Sequence, residues 1–180
     1  MHDVRGRRGE PMQQVVIRDA RPEDRVAIRE VTLAAYGEYA AQMPAPHWEA
    51  YRLNIIATLE QVAPAEQIVA EDGGAVIGTV LLYPPHGLSP TPDQAAWPEV
   101  RLLAVAPARR GTGVGAALME ECVRRARRSG STALSLHTTD MMQSAMRMYA
   151  RMGFVRAPEL DFHPMPDVTI KGYRLGLHPP

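Results

Sequence analysis

Past residue 100 a short apolar strand runs through Pro107 into Arg109-Arg110-Gly111-Thr112-Gly113-Val114-Gly115-Ala116 and then straight into a helical pattern. Strand, glycine turn and helix start in that order make an anion site. The free amides of a first helical turn point outward with the positive end of the dipole behind them, and glycine lets a guest's oxygens approach without a Cβ in the way. Phosphate or pyrophosphate is the natural guest. The phosphate loop of nucleotide hydrolases requires Gly-Lys-Ser/Thr after its glycines, and the dinucleotide fingerprint requires a third glycine one residue later; neither pattern is met. A nicotinamide-dependent oxidoreductase is disfavoured on that spacing. Downstream, Arg124, Arg125, Arg127 and Arg128 crowd the end of the same helix, where cations oppose the negative end of its dipole. Cys122 falls on the apolar face with Val114, Ala117, Leu118 and Ala126, as a core residue rather than a nucleophile.

The turn must be held by a scaffold, and the patterning supplies one. Residues 15–17 predict a first strand. Pro22, with Glu23 and Asp24 behind it, opens a helix over about 22–36 whose apolar stripe is Ala27, Ile28, Val31, Ala34 and Ala35. A second helix over about 46–60 carries Trp48, Tyr51, Ile55, Ile56 and Leu59. Asp72-Gly73-Gly74 joins strands at 67–70 and 75–83 as a hairpin. A proline-rich loop (Pro84, Pro85, Pro90, Pro92, Pro98) precedes the strand at 100–105, the helix follows over about 111–128, and a further strand spans 133–137. Asp140 with Gln143 three residues on predicts a capping box, and the helix it opens stacks Met141, Ala145, Met148 and Met152 on one face as core packing. Strands at 154–156 and 169–177 complete seven.

Twenty basic side chains cancel twenty acidic ones among 180 residues, 46% of them apolar. That neutrality opposes a protein whose task is to coat a nucleic-acid backbone. Cys122 is the lone cysteine, so no intramolecular disulfide and no cysteine zinc site can form, which fits a reducing cytoplasm; no metal is implied. No apolar run approaches the roughly 20 residues of a membrane span. Residues 1–13 read as a flexible tail and 14–180 as one domain.

Leu103-Ala104-Val105-Ala106-Pro107 followed by Arg110-x-x-Gly113-x-Gly115 resembles the signature of the GNAT acyltransferases. That signature is a Leu-Ala-Val-x-Pro type run and then Gln/Arg-x-x-Gly-x-Gly/Ala. Ala145, Tyr149, Gly153 and Phe154 resemble the family's second hallmark, and Ile17 to Asp24 its opening. The resemblance covers about residues 14–177. It implies an α/β fold whose mixed, mostly antiparallel twisted sheet of about seven strands is splayed between strands four and five, with about four helices on both faces.

It further implies acetyl-CoA in that splay. The segment Leu103, Ala104 and Val105 would bond the pantetheine arm through the backbone, and Arg110, Gly111, Thr112, Gly113, Val114, Gly115 and Ala116 would hold the pyrophosphate. Tyr149 falls where the family places a tyrosine near the thioester sulfur, and it is the candidate acid. Two residues compete as base: Glu99 at the start of the cofactor strand, and His137 on the neighbouring one, where other members carry a carboxylate. Where the family often has a cofactor-contacting asparagine, this chain has Met142, so either Gln143 or Ser144 substitutes or the cofactor is gripped less tightly. The acceptor, by analogy a primary amine on a small molecule or peptide, would lie against Tyr36, Trp48, Tyr51, Phe162 and His163. A noncatalytic acyl-CoA sensor of the same fold is the alternative. Homodimers are common in this fold and the sequence does not decide the matter.

Overall fold

A computed structural model describes residues 15–85, 97–165 and 168–177. The expectations for the tail at 1–13 and for Pro90 and Pro92 lie outside those residues. The hairpin forms as its turn chemistry requires: Gly73 and Gly74 take φ of +58° and +84°, which L side chains resist, and fold β2 (Glu66–Asp72) back onto β3 (Ala75–Tyr83). β1 (Val16–Asp19) pairs with β2, and β4 (Glu99–Val105) pairs with β3, all antiparallel. β5 (Ala133–Thr138) lies parallel to β4, β8 (Val168–Gly176) returns antiparallel to β5, and β6 (Val155–Arg156) closes the edge beyond β8. An eighth strand, β7 (Phe162–Met165), pairs with β8 outside the main path, where seven strands are expected from sequence. Pro164 interrupts its pattern, and a proline-bearing strand of this kind survives only at an edge.

Two apolar layers sandwich the sheet. On one face α1 (Arg25–Gly37) and α2 (Ala45–Glu60) cover Val69 and Ala104; on the other α3 (Val114–Arg128) and α4 (Gln143–Arg151) cover Ile68, Val80, Val100, Leu134 and Leu136. The buried positions of α1 are Ile28, Thr32, Ala35 and Tyr36, a stripe rotated from the expected one, and Ala34 is exposed. Its start is also different, because Pro22–Asp24 forms a separate 3-10 turn. The expected capping box at Asp140 does not form. Met142 is the N-cap of α4, and both Asp140 oxygens accept from the Lys171 ammonium, at 2.6 and 2.7 Å. An ammonium within reach holds a carboxylate more strongly than one backbone amide does. The arginines at the end of α3 are partly spent on ion pairs: Arg125 meets Asp19, Glu66 and Glu121 at 2.5 to 2.6 Å.

Arg18 on β1 bridges Asp24 (2.6 Å) and Glu71, while Asp24 also accepts the Arg21 amide at 2.7 Å, so one buried carboxylate ties β1 to the start of α1. The guanidinium and that amide hold the Asp24 carboxyl down at about 2, against its ordinary 3.8. A lowered carboxyl stabilises the fold above its unfolded pKa and loses that contribution as pH falls through its folded one. Asp24→Asn should therefore cost about 2 kcal/mol at pH 7. Urea titrations of variant and wild type should converge as pH drops from about 4 towards 2.

Candidate functional site

β4 and β5 part company almost at once. Their parallel pairing consists of Glu99↔Ser135 and Val100↔Leu136, and beyond Val100 β4 has no partner on that side among the described residues. The cause is visible on the other side. Between Thr79↔Ala104 and Leu81↔Arg101, β3 advances two residues (81 − 79) while β4 advances three (104 − 101), so β4 carries one extra residue. Leu102 absorbs it with φ +47°. Such a bulge raises the local twist and swings the strand away from its neighbour, and an αL leucine is kept only where its surroundings force it. Nothing in a leucine marks this position in the sequence.

The resulting cleft holds about 1030 Å³. The glycine turn closes one end. Gly111 and Gly113 have φ of +75° and +89°, and a Cβ on either would meet open space, so both are glycine for conformation rather than for room inside the protein. Gly113 is the N-cap of α3, and the first amide of this turn to reach a chain carbonyl is that of Ala117, which donates to Gly113 at 3.0 Å. The amides of Val114, Gly115 and Ala116 are left facing outward, the arrangement that suits an anion. The side chains nearby are otherwise engaged: Thr112 donates to the Arg109 carbonyl at 2.7 Å, Arg109 is paired with Asp72, and Arg110 reaches across to Glu38 and the Ala35 carbonyl at the end of α1. Leu103 and Val105 line the cleft, whereas the Ala104 side chain is turned into the α1 layer. Met142 also lines the cleft and packs against that layer; Gln143 and Ser144 stand exposed at the rim, with Ser144 already accepting from Arg147.

Tyr149 reaches the cleft from α4, on the face of the sheet covered by α3. Its ring leans on Phe154 (centroids 5.7 Å apart), and its hydroxyl has no hydrogen-bond partner among the described residues. Burial pushes this phenol well above its ordinary value, so it stays protonated and able to donate. Glu99 and His137 stand on the opposite face, since Leu134 and Leu136 fill the α3 layer and alternation turns His137 the other way.

The two candidate bases are one unit. His137 Nδ1 lies 2.9 Å from Glu99 Oε1, and its Nε2 lies 2.8 Å from the Leu160 carbonyl. A carbonyl can only accept, so Nε2 carries hydrogen, and the Nδ1 contact needs a second hydrogen from either partner. The couple thus holds one shared proton, and His137 has no spare lone pair. Leu160 is set by Gly172 on β8: the Ala157 amide donates to the Gly172 carbonyl, and a Cβ at Gly172 would collide with Leu160 Cβ and stand 2.9 Å from the Ala157 carbonyl oxygen.

Of the aromatic residues expected around an acceptor, Tyr36 lines the cleft, with Tyr39 beside it at 6.3 Å. Tyr51 and Trp48 stand behind Tyr36 in edge-to-face contacts and belong to the packing of α1 on α2. Phe162 lies edge-on to His137 at 5.2 Å, and His163 turns to Thr169. Sequence reasoning missed Arg101, Glu38, Tyr39 and the Leu160 carbonyl. Arg101 was within reach, because it follows Glu99 by two on a strand and so shares its face. Cys122 is buried in the core, where desolvation pushes its thiol up to about 12, as an inert core residue.

Residues 26–154 match the sequence model of the Acetyltransferase (GNAT) family. The chain is similar to mycothiol acetyltransferase of Nocardia farcinica, 34% identical over 134 residues. That match takes in 74% of this chain and 38% of that protein. It is also similar to N-acetyltransferase 8F1 of Rattus norvegicus, 34% identical over 86 residues, 48% of this chain and again 38% of the relative. The chain thus spans about two fifths of the curated relatives it matches. In fold it is similar to a GNAT-family acetyltransferase from Staphylococcus aureus Mu50, with TM-score 0.70, 15% identity, and 92% and 100% of the two chains covered. A Brucella melitensis GNAT-family acetyltransferase in complex with acetyl-CoA gives TM-score 0.60, 24% identity, and 93% and 90% coverage.

The Gly172 clasp is testable without any substrate. Gly172→Ala should cost about 1 to 3 kcal/mol in denaturant unfolding, because the 158–160 turn must lift off β8. It should also remove the downfield Nε2 proton of His137 from the NMR spectrum; an unchanged resonance would show that Leu160 had not moved.

Proposed function

The chain belongs to the acetyltransferase (GNAT) family, and on that premise we propose that it transfers the acetyl group of acetyl-CoA to a primary amine by direct attack in a ternary complex. The observation that carries this reading is the splay of β4 and β5, with the free Tyr149 hydroxyl at it from one face and His137, hydrogen-bonded to Glu99 behind it, lining it from the other. A thioester lying in the splay has a proton donor on its sulfur side and a proton acceptor on the side from which an amine can arrive. The outward amides of Val114, Gly115 and Ala116 fit a pyrophosphate, and the unpaired edge of Leu103 and Val105 offers main-chain groups to an extended amide-bearing arm.

Glu99 is the base and His137 its positioning residue. The Nδ1 contact occupies Oε1 and leaves Oε2 without a partner among the described residues, whereas both His137 nitrogens are committed. With the shared proton on the imidazole, the Glu99 carboxylate takes the ammonium proton at Oε2, directly or through one water; the neutral amine then attacks the thioester carbon, the C–S bond breaks, and the second amine proton leaves with the thiolate. On the opposite side Tyr149 donates a hydrogen bond to the sulfur as it takes up charge. A phenol raised by burial is a weaker acid than a thiol, whose ordinary value is about 8.5. Full proton transfer is therefore uphill, and the hydrogen bond itself is the catalytic contribution.

Acetyl-CoA should raise the melting temperature of the protein where NADH and ATP do not. Gly113→Glu should abolish that rise at a folding cost of about 1 to 2 kcal/mol, from a carboxylate in the anion's place on a backbone that favours glycine. In a thiol-release assay over an amine panel, Glu99→Gln should lower kcat about 100-fold or more, and Tyr149→Phe should lower kcat with little change in acetyl-CoA affinity. Acetyl-CoA binding without transfer to any amine would reassign the protein as a sensor.

A further inference from the structure

The cations of the cleft are not equivalent. Arg109 and Arg110 are hydrogen-bonded to Asp72 and Glu38, at the end of the cleft closed by the glycine turn, and Arg147 and Arg151 line it from α4, on the Tyr149 side of the sheet. Arg101 lies on the opposite side of the bulge, on the Glu99 face. Its guanidinium sits 5.8 Å from the centroid of the Tyr83 ring, and its Nε stands 3.6 Å from Glu99 Oε1. That separation is too long for a hydrogen bond, and Oε1 already takes the His137 contact. Among the described residues Arg101 therefore donates no hydrogen bond, although its side chain is 37% exposed and lines the cleft. A guanidinium offers its donors in a rigid planar fork that matches a carboxylate two bonds at a time.

The charge count runs the same way. Glu99 and His137 with their one shared proton sum to zero whichever partner holds it, so Arg101 leaves this face at +1 (0 + 1). A polyamine or a lysine side chain would bring a further positive charge into a site already positive, whereas an amino carboxylate, neutral as a zwitterion, brings none. The 3.6 Å between guanidinium and carboxylate also sets a span. An acceptor with its amine and its anion on the same or adjacent carbons can reach both groups at once.

We propose that the acceptor is an α- or β-amino carboxylate, a free amino acid or a close relative, with its carboxylate held by Arg101 and its amine by Glu99. This rests on the acetyl-transfer reading above and specifies its acceptor. The test is steady-state kinetics with acetyl-CoA on matched amines: phenylalanine against phenethylamine, alanine against ethylamine, and 4-aminobutanoate, whose carboxylate is too distant. Wild type should favour the amino acid of each pair by about 10- to 100-fold in kcat/KM, mainly through KM, the range of one charge-assisted contact. It should treat 4-aminobutanoate like the plain amines. Arg101→Gln should erase the preference by raising KM for the amino acids alone, and Arg101→Lys should restore part of it. Acetylation without regard to the carboxylate overturns the inference while sparing the transfer reading. Equal losses of kcat on both members of a pair overturn it too, because Arg101 then serves the reacting carbonyl. Acetyl-CoA binding with no amine acetylated ends both.

Discussion

The protein depends on a broken ladder. A parallel pair of buried strands ordinarily satisfies every backbone group along its length, and here β4 and β5 stop pairing after Val100. The extra residue at Leu102 is what makes them stop, since the twist it adds cannot be followed by β5. Stability is given up twice, once as an αL leucine and once as unpaired amides and carbonyls. What results is a slot through the middle of a sheet, reachable from both faces. An ordinary sheet would keep Tyr149 and Glu99 in separate worlds, one in each layer of the core.

The site is accordingly assembled from parts far apart in the chain. Tyr149 is positioned by the packing of α4 against Phe154 and the α3 layer. Glu99 is positioned by His137, His137 by the Leu160 carbonyl, and Leu160 by the bare Cα of Gly172. Each link is short and has one acceptor or one missing atom behind it. Such a chain orients a carboxylate without burying it fully, which keeps one of its oxygens available.

Much of this is legible in the residues. The glycine turn shows itself by spacing, the β2–β3 hairpin by Asp72-Gly73-Gly74, and the strands and helices by period. The resemblance expects Tyr149 on a helix and Glu99 and His137 on neighbouring strands, and they lie on α4, β4 and β5. What stays hidden is whatever a residue type does not announce. Leu102 bears no mark of a positive φ. Phe162–Met165 contains a proline and pairs only at an edge, so its strand is invisible to patterning. Asp140 has the spacing of a cap, but Lys171, thirty-one residues on, outcompetes a backbone amide for it. The Glu99–His137 couple spans thirty-eight residues, and no local rule joins its members into one unit.

The order of strands, β5 then β8 then β6, gives the molecule a sequence in time as well as in space. β8 is synthesised after both of its neighbours yet lies between them. Until it emerges, β5 is an apolar strand with an open edge and β6 has nothing to hold it. A nascent chain halted before residue 168 already carries its glycine turn and Tyr149, but it presents a sticky strand edge to any other chain. Insertion of β8 is a long-range closure that comes late, and it brings Gly172 under Leu160 in the same motion.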